Sequence, residues 1–348
     1  MATIGDVARR AGVSQSTVSY ALSGKRPISE ETRRRIERAI DELGYRPHAG
    51  ARALATARTD VIGLMAPLRT GVDVHVIMQF VAGVVTGASR SGYDVLLLTQ
   101  DEGVLDRVTS SSMVDALVVM DVENDDKRLP ALERSRQPAV LIGLPADPHG
   151  LSCVDLDFAR AGAVAARRLI DAGHRAIALV GSPVEVVSRH TSYAERMTRG
   201  FVGACEAAGV TYLVVPTAAS AAGAAASVDR VLGMMPEVTA LVVHNEVALP
   251  HVISRFREAG RGVPEQVSVV AVCPEDVAVS MPVPVTSVDI PAEAIGRIAV
   301  EMLTGLMADP ARGEVRLVSP RLTERGSVRE VSAPSGGTVT GDPAAATP

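Results

Sequence analysis

From residue 60 onward, short apolar runs alternate with amphipathic stretches at a nearly regular interval. VIGLMAP (61–67), YDVLLLT (93–99), ALVVM (116–120) and AVLIG (139–143) are continuous apolar runs, the pattern of strands buried on both faces. Helical text lies between them, the first stretch running through about 76–91 and ending at Gly92. A helix over 160–173 ends in AGH, and AIALVGS (176–182) restarts the pattern. It continues with a helix over 195–209, YLVVP (212–216), an Ala-rich helix over 219–235, ALVVH (240–244), a helix over 247–260 and VSVVAV (267–272). Such alternation predicts parallel sheet with helices on both faces, and the restart near 174–176 predicts two similar lobes. Ligands of such folds bind at the carboxyl ends of the strands, here between the lobes.

The first 45 residues follow a different period. Ile4, Val7, Ala8 and Ala11 form the i, i+3, i+4, i+7 stripe of an amphipathic helix. Thr3 and Asp6 have the spacing of a capping box, and Gly12 suits a left-handed helix end. Ser14 is placed to cap a second helix, with Val13 packing inside the turn. Val18, Ala21 and Leu22 are expected to face inward, which turns Gln15, Ser16, Ser19 and Tyr20 outward. Pro27 and Ser29 start a third helix, Glu30 and Glu31 suit the positive end of its dipole, Ile36, Ala39, Ile40 and Leu43 form its stripe, and Gly44 ends it. Two short helices joined by a tight turn, with hydrogen-bonding side chains at the start of the second, match the geometry that reads base edges in a DNA groove.

Charge sharpens that reading. The chain carries a net charge of −5, yet residues 1–59 hold 11 basic and 6 acidic residues, leaving 24 basic and 34 acidic for the rest. A basic end is the electrostatic footprint of phosphate binding, and an acidic body discourages adhesion of the remainder to DNA. Residues 47–59, PHAGARALATART, join the two parts. They are marginally helical, either a flexible linker or a hinge that becomes helical only on DNA. Residues 331–348 are rich in Pro, Gly, Ala and Thr without periodicity, the composition of a disordered tail. Cys153, Cys205 and Cys273 are widely spaced, which suggests reduced thiols rather than disulfides or a metal centre. No apolar run has membrane-spanning length, and the N-terminus enters a helix without a leader pattern, so a cytoplasmic location is expected. No nucleophile elbow, phosphate loop, zinc spacing or dinucleotide fingerprint points to an enzyme or a cofactor, and His174 and His244 stand alone. A transporter's solute-binding protein would suit the body but not the basic headpiece.

With these residues in view the chain resembles the LacI/GalR (lac repressor) family of bacterial transcription regulators. The resemblance runs from Thr3 to about Val328 and rests on IGDVARRAGVSQSTVSYALSG, SEETRRRIERAIDELGYRP, ARALATARTDVIGL, DAGHRAIALVGS, REAGRGVPEQVSVVAV and VTSVDIPAEAIGRIAVEML. It implies an all-α helix-turn-helix headpiece (1–47), a hinge (48–59), a two-lobed α/β effector domain similar to periplasmic binding proteins (60–330) and a tail (331–348). It also implies a homodimer that represses transcription at a pseudo-palindromic double-stranded DNA operator, under control of a small-molecule effector such as a sugar or related metabolite. By position, Gln15, Ser16 and Tyr20 match base-reading residues, and Thr3, Ser14, Thr17, Ser19 and Ser23 match phosphate contacts. Leu54 matches a minor-groove wedge, with Arg52 beside it. Tyr20 departs from the Arg or His frequent there, and a phenol cannot grip guanine with two bonds.

At the implied effector site the match loosens. Cys273 stands near an expected Asp, and Glu275 and Asp276 are out of register. Met197 stands where an Arg is usual three residues before Gly200-Phe201, with Arg196 one step earlier. Asn245 matches a polar position, but Glu246 follows it in place of Asp, and Ile290 occupies a position that is polar in some relatives. A sugar site favours an aromatic platform, and of the body's seven Phe and Tyr residues Phe158 and Tyr193 are the best placed. The effector-binding candidates are therefore Phe158, Tyr193, Arg196, Asn245 and Cys273.

Overall fold

The computed structural model describes residues 2–23, 26–45, 58–100, 103–110, 113–310 and 313–331. Most of the hinge, with Arg52 and Leu54, and nearly all of the tail lie outside them.

Three helices, α1 (Ile4–Ala11), α2 (Gln15–Ser23) and α3 (Glu30–Leu43), make the headpiece. Local chemistry sets their ends. The Thr3–Asp6 capping box forms, Ser29 caps α3 through the Thr32 N–H, and Gly12 and Gly44 end α1 and α3 at φ 64° and 57°. Val7, Ala8, Ala11, Val18, Ile36 and Ala39 are its buried core, with Ile4, Val13, Ala21 and Ile40 packed around them. Leu22 was expected inside but is 39% exposed. It sits in the last turn of α2, outside the headpiece core, and Leu43 is likewise at the rim.

The body is two six-stranded sheets. The first holds β1 (Val61–Met65), β2 (Asp94–Leu98), β3 (Ala116–Val119), β4 (Ala139–Ile142), β5 (Ser152–Leu156) and β11 (Val315–Val318), in the order β2-β1-β3-β4-β5-β11. The second holds β6 (Ala176–Gly181), β7 (Thr211–Pro216), β8 (Ala240–Val243), β9 (Ser268–Cys273), β10 (Thr286–Asp289) and β12 (Leu322–Thr323), in the matching order β7-β6-β8-β9-β10-β12. All pairings are parallel except β10 with β12. The expected restart near 176 is thus a second lobe wound like the first. The chain crosses between lobes three times, after β5, after β10 and after β11.

Each lobe has one tightly packed helix pair. In the first, α4 (Val74–Arg90) lies on α13 (Ala292–Ala308). In the second, α7 (Phe158–Asp171) lies on α9 (Ser192–Ala208). Both contacts need glycine. A Cβ on Gly200 would sit 1.8 Å from the Ala159 carbonyl oxygen, and one on Gly296 would sit 2.5 Å from that of Phe80. Backbone therefore meets backbone at these crossings. The opposite faces are covered by α5 (Val104–Ser110) and α6 (Leu129–Arg134) in the first lobe, and by α10 (Ala221–Met234) and α11 (Leu249–Glu258) in the second. Two short helices, α8 (Val184–Ser188) and α12 (Glu275–Ser280), follow β6 and β9. No helix among the described residues is long and apolar enough to cross a membrane.

Candidate functional site

Two places carry chemistry. The first is the start of α2. The Thr17 N–H donates to Ser14 Oγ at 3.1 Å, and the Ser14 hydroxyl also lies 2.7 Å from Ser16 Oγ and 2.8 Å from Thr17 Oγ1. This hydroxyl cluster caps the helix and leaves Gln15 and Ser16 exposed at its positive end. The Gln15 amide rests against Gly5 of α1, where a side chain would meet it at 3.0 Å. Thr3 is engaged in its own cap: its N–H and hydroxyl both donate to Asp6 Oδ2, and these bonds hold the Asp6 carboxyl below its ordinary range. Ser19 and Tyr20 are partly covered. The Arg26 guanidinium stands over the Tyr20 ring, 5.2 Å from its centre, a cation–π contact that spacing along the sequence did not reveal. Ser23 closes α2.

The second place is a partly open cleft between the lobes, about 960 Å³ of space with the adjoining open solvent included. It lies at the carboxyl ends of β1, β3, β4 and β5 on one side and β6, β8 and β10 on the other. Phe158, Tyr193 and Asn245 line it, as does Ile290. Phe158, Tyr193 and His244 form a triangle of rings with centres 5.4, 5.6 and 5.7 Å apart. Burial pushes the His244 imidazole down to about 4 and raises the Tyr193 phenol, so both are neutral at physiological pH.

Asn245 is tied to its own lobe. Its Nδ2 donates to the Thr217 carbonyl at 2.7 Å, and its Oδ1 accepts the Ala248 N–H at 3.0 Å. It braces the wall through one Nδ2 and one Oδ1 bond, leaving its second N–H and lone pair. Arg196 stands just behind the wall, 7% exposed, 5.7 Å over the Phe158 ring and paired with the wall residue Asp155. Burial raises the Asp155 carboxyl to about 6, against the opposing pull of Arg196. Cys273, at the end of β9, is 1% exposed and is not part of the wall. Its carbonyl accepts the Ile290 N–H, and burial raises its thiol well above the usual range.

Sequence reasoning missed Asp73, Asp121 and Ser192 as wall residues, and read His244 as isolated. Glu246 was noticed only as a replacement. Asp121, Asp155, Ser182, His244 and Glu246 stand at or just past strand ends, so reading off the residues at each predicted strand's carboxyl end would have found several of them.

Polar ties hold the lobes together around the cleft. Asp121 pairs with Arg69 at 2.9 Å in its own lobe and with Arg189 of the other at 3.4 Å. The Ser192 N–H donates to the Val122 carbonyl, and the Asn124 N–H to that of His190. On the far rim His75 Nε2 lies 2.6 Å from Asp276, which also accepts from Gln79 at 3.0 Å.

Residues 3–48 match the model of bacterial regulatory proteins of the lacI family, and residues 166–328 match that of the periplasmic binding protein-like domain. The chain is 32% identical to the HTH-type transcriptional regulator CelR of Thermobifida fusca over 327 residues, covering 89% of this chain and 94% of the relative. It is 28% identical over 342 residues to the transcriptional repressor PurR of Photobacterium profundum, covering 95% and 100%. The solved CelR–cellobiose complex superposes with a TM-score of 0.67 at 28% identity, covering 94% of this chain and all of that one. The operator-bound lac repressor dimer shares the fold, with a TM-score of 0.79 at 21% identity, covering 94% and 99%. A helix-turn-helix headpiece on a two-lobed binding domain, matched along nearly its whole length, makes this chain a member of the lacI family of bacterial regulatory proteins, a DNA-binding transcriptional regulator rather than an enzyme.

Proposed function

We propose that the protein is a cytoplasmic repressor that binds a pseudo-palindromic operator as a homodimer and is switched by a small molecule held in the interlobe cleft. In this reading residues 1–47 are the headpiece, 48–59 a conditional hinge, and 60–330 the sensing and dimerisation domain. Gln15, Ser16 and Tyr20 read bases. Thr3, Ser14, Thr17, Ser19 and Ser23 contact phosphates. Arg52 and Leu54 enter the minor groove, where the cost of unstacking is offset by contacts that bent DNA allows.

The observation that carries the reading is the cleft itself. It is walled by both lobes and closed by polar ties such as Asp121–Arg189 and His75–Asp276, which a ligand can strengthen or break. By whatever factor a ligand changes operator affinity, the operator must change that ligand's affinity by the same factor. A dimer is supported by one face of α4, where Val74, Met78 and Val85 fall within about 40° of one another at the helical period and are 36–51% exposed. The complex of CelR with cellobiose supports a sugar-like effector. Mobility shift of the full-length protein on the DNA upstream of its own gene tests the function. Specific retardation is expected, weakened by Leu54→Ala with the fold intact, and absence of specific binding with or without candidate sugars would refute it.

A further inference from the structure

The charge balance of the cleft wall is one-sided. Among the described residues its charged members are Asp73, Asp121, Asp155 and Glu246, with no lysine or arginine. Two of the four carboxylates have cations behind them, Asp121 with Arg69 and Arg189, and Asp155 with Arg196. Among the described residues Glu246 has none, and Asp73 has only the nearby His75 imidazole, whose pKa it helps to raise. Asp73 accepts the His75 N–H at the start of α4, and its charge is felt by Glu246. Burial, with Asp73 adding to it, pushes the Glu246 carboxyl up to about 7.

Beside these carboxylates the wall has a buried hydroxyl with no partner. Ser192 is 1% exposed and its Oγ has no hydrogen bond. A buried polar atom left unpaired costs about 1–3 kcal/mol, so this hydroxyl is suited to a guest. The neighbouring His244 ring, 6% exposed, lines the same wall. Phe158 and Tyr193 complete an aromatic wall around them, whose ring faces attract a cation.

We propose that the cleft's effector carries a protonated nitrogen on a compact ring. The ring lies against Phe158, Tyr193 and His244, the nitrogen faces Glu246 and Asp73, and Ser192 Oγ and His244 take its remaining polar groups. This rests on the reading of the cleft as the effector site and narrows the ligand class. An anionic ligand finds no free cation there. A neutral polyol can donate hydroxyl hydrogen bonds to these carboxylates but brings no positive charge to offset theirs.

The test uses matched pairs that differ in the charged group, benzylamine against benzyl alcohol and glucosamine against glucose, titrated calorimetrically into the full-length protein near neutral pH. The amine of at least one pair is expected to bind about tenfold tighter than its neutral partner, roughly the gain from one desolvated cation contact. Glu246→Gln should remove that preference and Asp73→Asn should reduce it, both variants keeping the wild-type thermal transition within a few degrees. Neutral members binding as well as the amines, failure of every amine to bind, or a preference that survives both substitutions would overturn the proposal. If neutral members alone bind, and alter operator affinity, the repressor reading stands and only the ligand class falls. If an amine binds through Glu246 without altering operator affinity, the class stands and the coupling falls.

Discussion

The headpiece and the cleft are built on opposite plans. In the headpiece the working groups are exposed or half-buried, contiguous in sequence and set by helix caps acting over three or four residues. The core beneath them is small, six buried side chains, and its job is to hold α2 in place. In the cleft the working groups are largely buried and come from the ends of many strands in two lobes. The contrast teaches that one surface can change its specificity by single exposed substitutions, whereas the other changes only with its packing and charge partners.

The two regions differ most in how much their cores can lose. Val18 is fully buried in a core too small to supply more than about 3–5 kcal/mol, and Val18→Asp places an unpaired carboxylate there. Complete loss of operator binding is expected, with the thermal transition of the body unchanged by calorimetry. A body transition that falls with the headpiece would show that the two do not fold separately.

Arg196→Met strips the buried Asp155 of its partner, at a cost of about 3–5 kcal/mol when a charge is left alone. A lower melting temperature and lost ligand binding are expected, with the isolated headpiece transition intact. Because Arg196 pulls the Asp155 carboxyl down, its loss raises that carboxyl further above about 6, and protonation on acidification should recover part of the lost stability.

His174 gives the pH dependence. Its ring lies 2.9 Å from both Thr239 Oγ1 and Ser268 Oγ, and burial, aided by Arg329, depresses it to about 4 from 6.5. Between those values the unfolded chain binds a proton that the folded chain refuses. The stability His174 allows is therefore fully present above pH 6.5 and is lost as pH falls toward 4, by up to about 3 kcal/mol. His244 acts in the same direction, while Asp155 and Glu246, both raised, act in the opposite one. Urea unfolding of wild type and His174→Gln at several pH values isolates the term, and the variant should show the smaller loss on acidification.

The smallest effect sharpens the exposed side of the contrast. Gln15→Ala should cost about 1–3 kcal/mol of discrimination at one base pair of the operator, with the melting temperature unchanged. Equal weakening across all sequences would instead assign Gln15 to the phosphates.

Legibility follows the same division. Most helix ends and the strands of continuous apolar text were readable. Four strands were not: β5 (SCVDL), β10 (TSVD), β11 (VRLV) and β12 (LT) carry polar residues where apolar ones were sought. They are tolerated by partners far along the chain. Asp155 in β5 pairs with Arg196, the Glu314 N–H donates to Ser152 Oγ, and the Thr286 N–H donates to Ser327 Oγ at 2.8 Å. The α7 boundary, expected at 160–173 and found at 158–171, slipped because Asp157 caps the helix through the Arg160 N–H.

The sequence by itself determined the two periods, the capped helix-turn-helix, the uneven charge and the doubled sheet, because propensity, capping and burial period act locally. Only the tertiary structure decided which residues share the cleft. It placed Asp73 within reach of Glu246's charge, turned Asn245 into a wall brace, sealed Cys273 away and closed the Phe158–Tyr193–His244 triangle. Those outcomes depend on where glycine-tight helix crossings and three interlobe crossovers bring distant strand ends, and no local rule encodes such distances.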